Sequence, residues 1–214
     1  MQLVAYGAQD IYLTGNPQMT FFVAVYKRHT NFAIENVRQY FTGETDFGKK
    51  SYCQVERVGD LMNEVYLVVD LPKLSDINKE FDTELRWVNS IGHALIKFIE
   101  IEIGGVIVDR HFGLWLEIWF ELTVPKSKHQ GYEKMIGKTP GQCYFENTEQ
   151  TKIYVPLQFW FCKNRGLSLP LIALQNHEVR FNLTLRNLNE LILSKNNIDI
   201  DKKLNEIAIE KRHR

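Results

Sequence analysis

The chain has 214 residues, and its 26 Lys plus Arg balance its 26 Asp plus Glu, so the formal net charge is zero. A protein that wraps nucleic acid neutralises phosphates with a basic excess; no such excess is present, so we expect no direct binding of nucleic acid. Hydrophobic residues make up 44% and charged residues 24%, which excludes a wholly disordered chain and allows a sizeable core.

The first predicted element is an amphipathic helix near residues 17–28. Asn16 is a favourable N-cap residue, and Pro17 suits the first helical position. Apolar residues then recur at i, i+3, i+4 and i+7 and form one stripe, which consists of Met19, Phe22, Val23 and Tyr26. Such a stripe is typical of a helix that packs against a core.

Alternation of apolar and polar residues predicts half-buried strands along the rest of the chain. It is clear at 64–71, 94–103, 152–162 and 178–186, and weaker around 32–41, 52–58 and 85–90. The inward rows are Val65, Leu67, Val69 and Leu71; Leu95, Ile99, Ile101 and Ile103; Ile153, Val155, Leu157, Phe159 and Phe161; Val179, Phe181, Leu183 and Leu185. The opposite face of two strands carries Glu100, Glu102, Arg180, Asn182, Thr184 and Arg186. Gly104-Gly105 predicts the turn of a hairpin into Val106-Ile107-Val108.

A second helix is predicted at 111–122, followed by a long surface loop at 125–150. The helical stripe consists of Leu114, Trp115, Ile118, Trp119 and Leu122 and is expected to contact the core. Glu117 and Glu121 lie largely opposite it and indicate a solvated face, with a paired-carboxylate site as the alternative. The tail 194–214 is polar and is either a short helix or disordered. Many strands without long interleaved helices favour an all-β antiparallel sandwich or barrel.

No motif for chemistry is present, so we predict no catalytic, cofactor-binding or metal-binding residues. The sequence lacks a P-loop, a G-x-S-x-G elbow and H-x-H spacing. Cys53, Cys143 and Cys162 are expected to be buried free thiols, although two of them can pair. Asn182 begins a glycosylation sequon and is expected to be exposed but unmodified, because the N-terminus does not resemble a signal peptide. No apolar run approaches the length of a membrane span, and we expect the protein to be made and kept in the cytosol.

Three long stretches together resemble one protein family. They are AYGAQDIYLTGNPQMTFFVAVYKRHTNFA at 5–33, IEIGGVIVDRHFGLWLEIWFELT at 101–123 and YVPLQFWFCKNRGLSLPLIALQNHEVRFNL at 154–183. In this order they resemble the major capsid proteins of nucleocytoplasmic large DNA viruses, up to the end of the first jelly roll. The resemblance implies an eight-stranded antiparallel jelly-roll sandwich at 31–190. It also implies an N-terminal arm with a short helix at 1–30, and leaves 191–214 as a polar tail or the start of a missing second domain.

The resemblance also implies a role and partners. Members of the family carry two tandem jelly rolls, form trimers of pseudo-hexagonal outline and tile an icosahedral shell over an internal membrane. We therefore expect a virion protein, assembled in the host cytoplasm, that contacts its own copies, neighbouring capsomers and minor capsid proteins and lies close to a membrane. A chain with one roll needs six copies for the same outline.

The N-terminal arm is the part of the chain for which the resemblance suggests assembly contacts. The candidate residues are Gln9, Asp10, Tyr12, Asn16, Phe21, Phe22 and Arg28. Two alternatives remain open, a carbohydrate-binding jelly-roll module for host attachment and a jelly-roll enzyme of the cupin kind. The missing H-x-H spacing weighs against the enzyme.

Overall fold

The computed structural model describes residues 31–72, 85–138 and 151–194. The chain divides into two units, 1–37 and 38–214. Of the first unit, residues 31–37 are described; they are exposed and form no helix or strand. The helix predicted at 17–28 and most of the tail lie outside the described residues.

The described residues form eleven strands and four helices. The strands are β1 Thr42–Gly43, β2 Lys50–Gln54, β3 Leu61–Met62, β4 Tyr66–Leu71, β5 Leu85–Trp87, β6 Ile96–Ile103, β7 Val106–Phe112, β8 Thr151–Pro156, β9 Leu169–Pro170, β10 Val179–Leu185 and β11 Ile192–Ser194. The helices are α1 Ile91–Leu95, α2 Gly113–Thr123, α3 Lys126–Ile136 and α4 Trp160–Lys163. Short 3₁₀ turns lie at Arg165–Leu167, Leu171–Leu174 and Leu188–Glu190.

All of the described strand pairs are antiparallel. A five-stranded sheet has the order β1-β2-β10-β6-β7, and three two-stranded sheets pair β4 with β8, β5 with β11 and β3 with β9. The late strand β10 lies between β2 and β6, with Phe181 opposite Cys53 on one side and Ile101 on the other. Because strands far apart in sequence are neighbours, the chain crosses over rather than forming a simple meander.

One core joins the five-stranded sheet to the smaller ones. The alternating residues of β6 and β10 bury Ile99, Ile101, Phe181 and Leu183, and β4 and β8 bury Leu67, Leu71, Ile153 and Val155. Apolar rows from several sheets pack against one another, which is the arrangement of a sandwich. The all-β jelly-roll class predicted from the sequence is confirmed.

The hairpin and the clearest strands also agree with the sequence pattern. β4 and β10 occupy the predicted ranges, and Gly104 and Gly105 link β6 to β7 with φ angles of 60° and 84°. A β-carbon at Gly104 would lie 2.7 Å from His177 Nδ1. Both the positive φ and the close approach of His177 therefore favour glycine at this position.

Several predicted elements are wrong. Residues 32–41 contain no strand, and the strand predicted at 152–162 ends at Pro156. Leu157, Phe159 and Phe161 are nevertheless buried: the chain stays against the core beyond Pro156 and enters the helical turn α4, which contains Phe161. The predicted loop is helical over Lys126–Ile136: Pro125 precedes its first turn, and Gly137 ends it with a φ of 76°. Proline before a helix and glycine after it also mark helix boundaries, so the residues that predict a loop here fit a helix with these two ends.

The face of the sheet opposite the core is less exposed than predicted. Glu100 is only 2% exposed and accepts a hydrogen bond of 2.6 Å from Arg110 Nε on the neighbouring strand. Asn182 is 9% exposed and donates to Glu102 at 2.9 Å. The prediction of an exposed Asn182 is wrong, because the cross-strand polar partners on this face shield one another.

Candidate assembly surface

Helices α1, α2 and α3 form a layer that is fixed by two close backbone approaches. A β-carbon at Gly113, the first residue of α2, would lie 2.0 Å from the carbonyl oxygen of His93 and 2.5 Å from that of Ile96. A β-carbon at Gly92 would lie 2.9 Å from Val155 and 3.1 Å from the carbonyl oxygen of Ile136. The layer therefore sits against β8 at a distance that only glycine allows.

Helix α2 turns a different face to the core from the one the sequence predicted. The buried residues are Gly113, Leu116 and Phe120. Leu114, Ile118 and Leu122 are instead 66%, 50% and 79% exposed. We call these three residues the α2 stripe. The prediction that these three contact the core is wrong, whereas Trp115 of the same predicted stripe does pack against the core. The structure leaves an apolar strip on the surface.

A partly buried charge cluster holds α2 in this orientation. His93 Nδ1 lies 2.6 Å from Glu117 Oε2, and because a carboxylate only accepts hydrogen bonds, this nitrogen is the donor. Ser90 Oγ and Lys138 Nζ donate to Glu117 Oε1 at 3.1 and 2.8 Å, and Lys138 also bonds Glu121. Glu117 is thus not part of a solvated face. The ammonium group of Lys138 lies between the carboxylates of Glu117 and Glu121 and offsets the repulsion between them.

The cluster shifts the pKa values of its members. The hydrogen bond from His93, and then the one from Lys138, lower the pKa of Glu117 to about 2 despite the opposing effect of burial. Burial, and then the charge of Glu117, raise the pKa of Tyr132, whose hydroxyl lies 3.4 Å from His93 Nε2. For Lys138, burial acts to lower the pKa, but the two glutamates outweigh it and raise the pKa. Glu117 and Lys138 are therefore an ion pair over the physiological pH range.

A column of stacked rings flanks the α2 stripe on its other side. Trp119, Trp115, His111 and Phe159 follow one another with centroid distances of 5.2, 4.6 and 4.3 Å. The ammonium group of Lys163 lies 4.2 Å from the Trp119 ring centroid. The ring faces of Trp115 and Trp119 are thus occupied by neighbours and by a cation, which leaves them unsuited to stack against a sugar.

The outer face of the β4–β8 sheet is a second exposed surface. Val68 lies directly opposite Tyr154, and Tyr66 lies opposite Pro156. Tyr66, Val68 and Tyr154 are all exposed, and at the next outward position Asp70 pairs with Lys152 at 3.5 Å. Flat sheet faces with exposed tyrosines suit contacts with proteins or sugars.

The described residues contain no sign of a metal centre or a membrane span. Within 31–72, 85–138 and 151–194, no group of three or more His, Cys, Asp or Glu residues is placed to hold a metal ion. No helix in these ranges has the length and apolarity required to cross a bilayer. Cys53 and Cys162 are free thiols, and burial raises the pKa of Cys162 to about 11, whereas Cys143 lies outside the described residues.

Comparison with known proteins places the chain in a family. The family Major capsid protein N-terminus matches residues 20–210. The chain belongs to this family. A major capsid protein of Phaeocystis pouchetii virus is 44% identical over 93% of this chain, and one of Pyramimonas orientalis virus is 50% identical over 86%. These matches span 43% and 45% of the two relatives, so this capsid-family chain covers less than half the length of either.

Solved structures agree with the family assignment. A quasi-atomic model of the PBCV-1 virus capsid matches 84% of the chain at 32% identity, with a TM-score of 0.66, and the match covers 40% of that chain. The Faustovirus major capsid protein matches with a TM-score of 0.53 at 12% identity, which shows likeness of fold alone. The jelly-roll architecture of this family member is therefore shared with a known virus shell.

The assembly residues predicted from the sequence all lie in 1–30, outside the described residues, so their role stays a prediction. The structure reveals instead the α2 stripe and the cluster around Glu117. The sequence predicted the α2 stripe and singled out Glu117 and Glu121 but misjudged their orientation, and it gave no indication that Ser90, His93 and Lys138 are the partners of Glu117. The orientation of α2 depends on two backbone oxygens, those of His93 and Ile96, which lie close to Gly113. A contact of this kind cannot be read from the sequence.

Proposed function

We propose that the chain is a structural building block of the icosahedral capsid of a large DNA virus and that it self-associates into pseudo-hexagonal capsomers. The observation that carries the proposal is the 44–50% identity to viral major capsid proteins over most of the chain. The physical properties support it: a rigid antiparallel core leaves its outer faces free for contacts, and a net charge of zero puts little repulsion between copies.

The finer parts of the proposal follow the family. The unit is a trimer when two jelly rolls are present in one polypeptide and six copies when there is one. The partners are neighbouring capsomers and minor capsid proteins, near an internal membrane and without direct contact to nucleic acid. Assembly takes place in the host cytoplasm, and the chain has no catalytic activity. Residues 1–30 act as an arm, 31–190 as the jelly roll and 191–214 as a connection or tail.

The test of this function is direct imaging combined with native mass measurement of the purified chain. We expect hexagon-shaped particles in negative stain and a mass that corresponds to three or six copies. A monodisperse monomer at high protein concentration contradicts self-assembly of this chain. Replacing Phe21 and Phe22 with serine tests the arm: if the predicted contacts there are right, the oligomer weakens while the circular dichroism spectrum is unchanged.

A second function, carbohydrate binding for host attachment, is favoured by one observation. Tyr66 and Tyr154 are exposed on the same face of the β4–β8 sheet, and exposed tyrosines are suited to stack on sugar rings. A glycan array tests it, with Tyr154→Ala expected to abolish any signal. Tyr40→Ala, at another exposed tyrosine, is the matched control. An array without hits rules this function out.

A further inference from the structure

We propose that the α2 stripe is the contact surface for a second copy of the same chain, with the two α2 helices side by side and running in the same direction. This inference rests on the proposed function and adds the surface through which copies meet. Leu114, Ile118 and Leu122 follow one another at a spacing of four residues and project from one side of the helix.

The size of the stripe suits a contact that is repeated many times rather than one stable pair. Three exposed side chains offer an apolar patch of a few hundred Å² at most, comparable to the largest patch on many monomers. A stable pair of proteins buries roughly 800 Å² on each partner. A single stripe contact is therefore weak, as expected for a subunit that gains its stability from several simultaneous contacts.

The charges beside the stripe identify the occupant. On a helix, position 121 lies on one side of the line through 114, 118 and 122, and positions 115 and 119 lie on the other. The first flank carries the half-exposed carboxylate of Glu121, which shares the ammonium group of Lys138 with Glu117, so two carboxylates stand against one cation on this flank. The second carries the exposed ammonium of Lys163, held over Trp119. The stripe thus has one acidic and one basic edge.

Such an arrangement is complementary to itself. When two parallel helices meet along their stripes, the left flank of one faces the right flank of the other, as in the charged edges of a parallel coiled coil. Glu121 of each copy then lies beside Lys163 of the other, twice in the same contact. An antiparallel pair would instead place glutamate against glutamate. The charge pattern therefore selects a second copy in the parallel orientation.

The first test measures self-association by sedimentation velocity over a concentration series. Ile118→Glu is expected to lower the association constant by about tenfold or more, because it places a charge at the centre of an apolar contact. Ile172→Glu is the matched control, since Ile172 is 56% exposed and lies on a different element. Circular dichroism and the thermal midpoint confirm that both variants are folded.

The outcomes separate the two proposals. Wild-type association that Ile118→Glu weakens and Ile172→Glu does not supports the inference. If both variants associate like wild type, the stripe is not the contact between copies and the inference is overturned, while the capsid function stands. If wild type never associates, both proposals fall.

A charge exchange tests the orientation. Glu121→Lys alone and Lys163→Glu alone each place like charges across both edges, and each is expected to weaken self-association by roughly three- to tenfold. Because Glu121 also bonds Lys138, circular dichroism and the thermal midpoint must show that Glu121→Lys is folded like wild type. An equimolar mixture of the two variants places opposite charges at both edges and is expected to recover wild-type association. A mixture no stronger than either variant alone overturns the parallel arrangement.

Discussion

Helix α2 can pack in its observed position only because Gly113 has no side chain. Replacing Gly113 therefore tests whether this close backbone approach fixes the helix. In Gly113→Ala the new β-carbon would lie 2.0 Å from the carbonyl oxygen of His93 and 2.5 Å from that of Ile96. Both atoms belong to backbone and cannot rotate away as a side chain would. The helix must therefore shift, which breaks packing at Leu116 and Phe120.

The expected magnitude follows from this geometry. Overpacking of a core typically destabilises by 1–3 kcal/mol, and a clash with backbone belongs at the upper end, so we expect about 3 kcal/mol. For a chain of this size that corresponds to a fall of about 6–12 °C in the thermal midpoint. Equilibrium unfolding in urea, followed by circular dichroism, measures the free energy directly.

The chain offers a control with the same chemical change and the opposite sign. Gly131 lies inside α3, and a β-carbon there would meet nothing within 4 Å. Gly131→Ala is expected to stabilise by about 0.5–1 kcal/mol, because alanine loses less backbone entropy in a helix. If the free energy of unfolding of Gly113→Ala lies within about 0.5 kcal/mol of the wild-type value, the close approach of α2 to α1 does not constrain the helix and the reasoning is refuted.

Three further predictions concern buried polar groups. The pKa of Glu117 is lowered from 4.5 to about 2, so the stabilisation that its ionised form provides is complete above pH 4.5 and is lost as the pH falls towards 2. The free energy of unfolding, measured as the pH is lowered, should show this loss in wild type and not in Glu117→Gln. Arg110→Ala leaves the buried Glu100 carboxylate unpaired and should destabilise by about 3–5 kcal/mol in urea unfolding, whereas adding Glu100→Gln should recover part of the loss. His111→Phe keeps the ring stack and removes Nε2, which has no hydrogen-bond partner, together with Nδ1, which lies 3.8 Å from Asp109 Oδ1. The thermal midpoint should stay equal or rise; a fall would show that the imidazole nitrogens contribute to stability.

The elements that the sequence predicted well are those in which local pattern and tertiary environment agree. Residues 179–185 alternate cleanly because one face of β10 packs on the core along its whole length. The turn at Gly104-Gly105 could be predicted because it requires positive φ angles at both residues, which glycine adopts readily. The pattern at 153–161 correctly identified the buried residues but not the end of the strand at Pro156, because a helical turn can continue the same burial.

The sequence could not predict which face of α2 packs against the core, because the helix is apolar around most of its circumference. Leu116 and Phe120 compete with Leu114, Ile118 and Leu122 for the core, and periodicity alone does not rank them. Contacts with residues distant in sequence decide which face is buried. The backbone oxygens near Gly113 and the partners of Glu117 come from residues 90–96 and 138. No local window contains both sides of these contacts.

The same two constraints connect stability to the proposed contact between copies. Turning α2 so that Ile118 and Leu122 face inward would carry Glu117 away from the buried His93 and the partly buried Lys138 and break both contacts, which is unfavourable. The side chains of Leu116 and Phe120 would at the same time move from the core into water. The exposure of the α2 stripe is therefore not a local accident of packing. It is enforced by a charge cluster on the adjacent side of the helix, and a contact surface maintained in this way is present before any partner arrives.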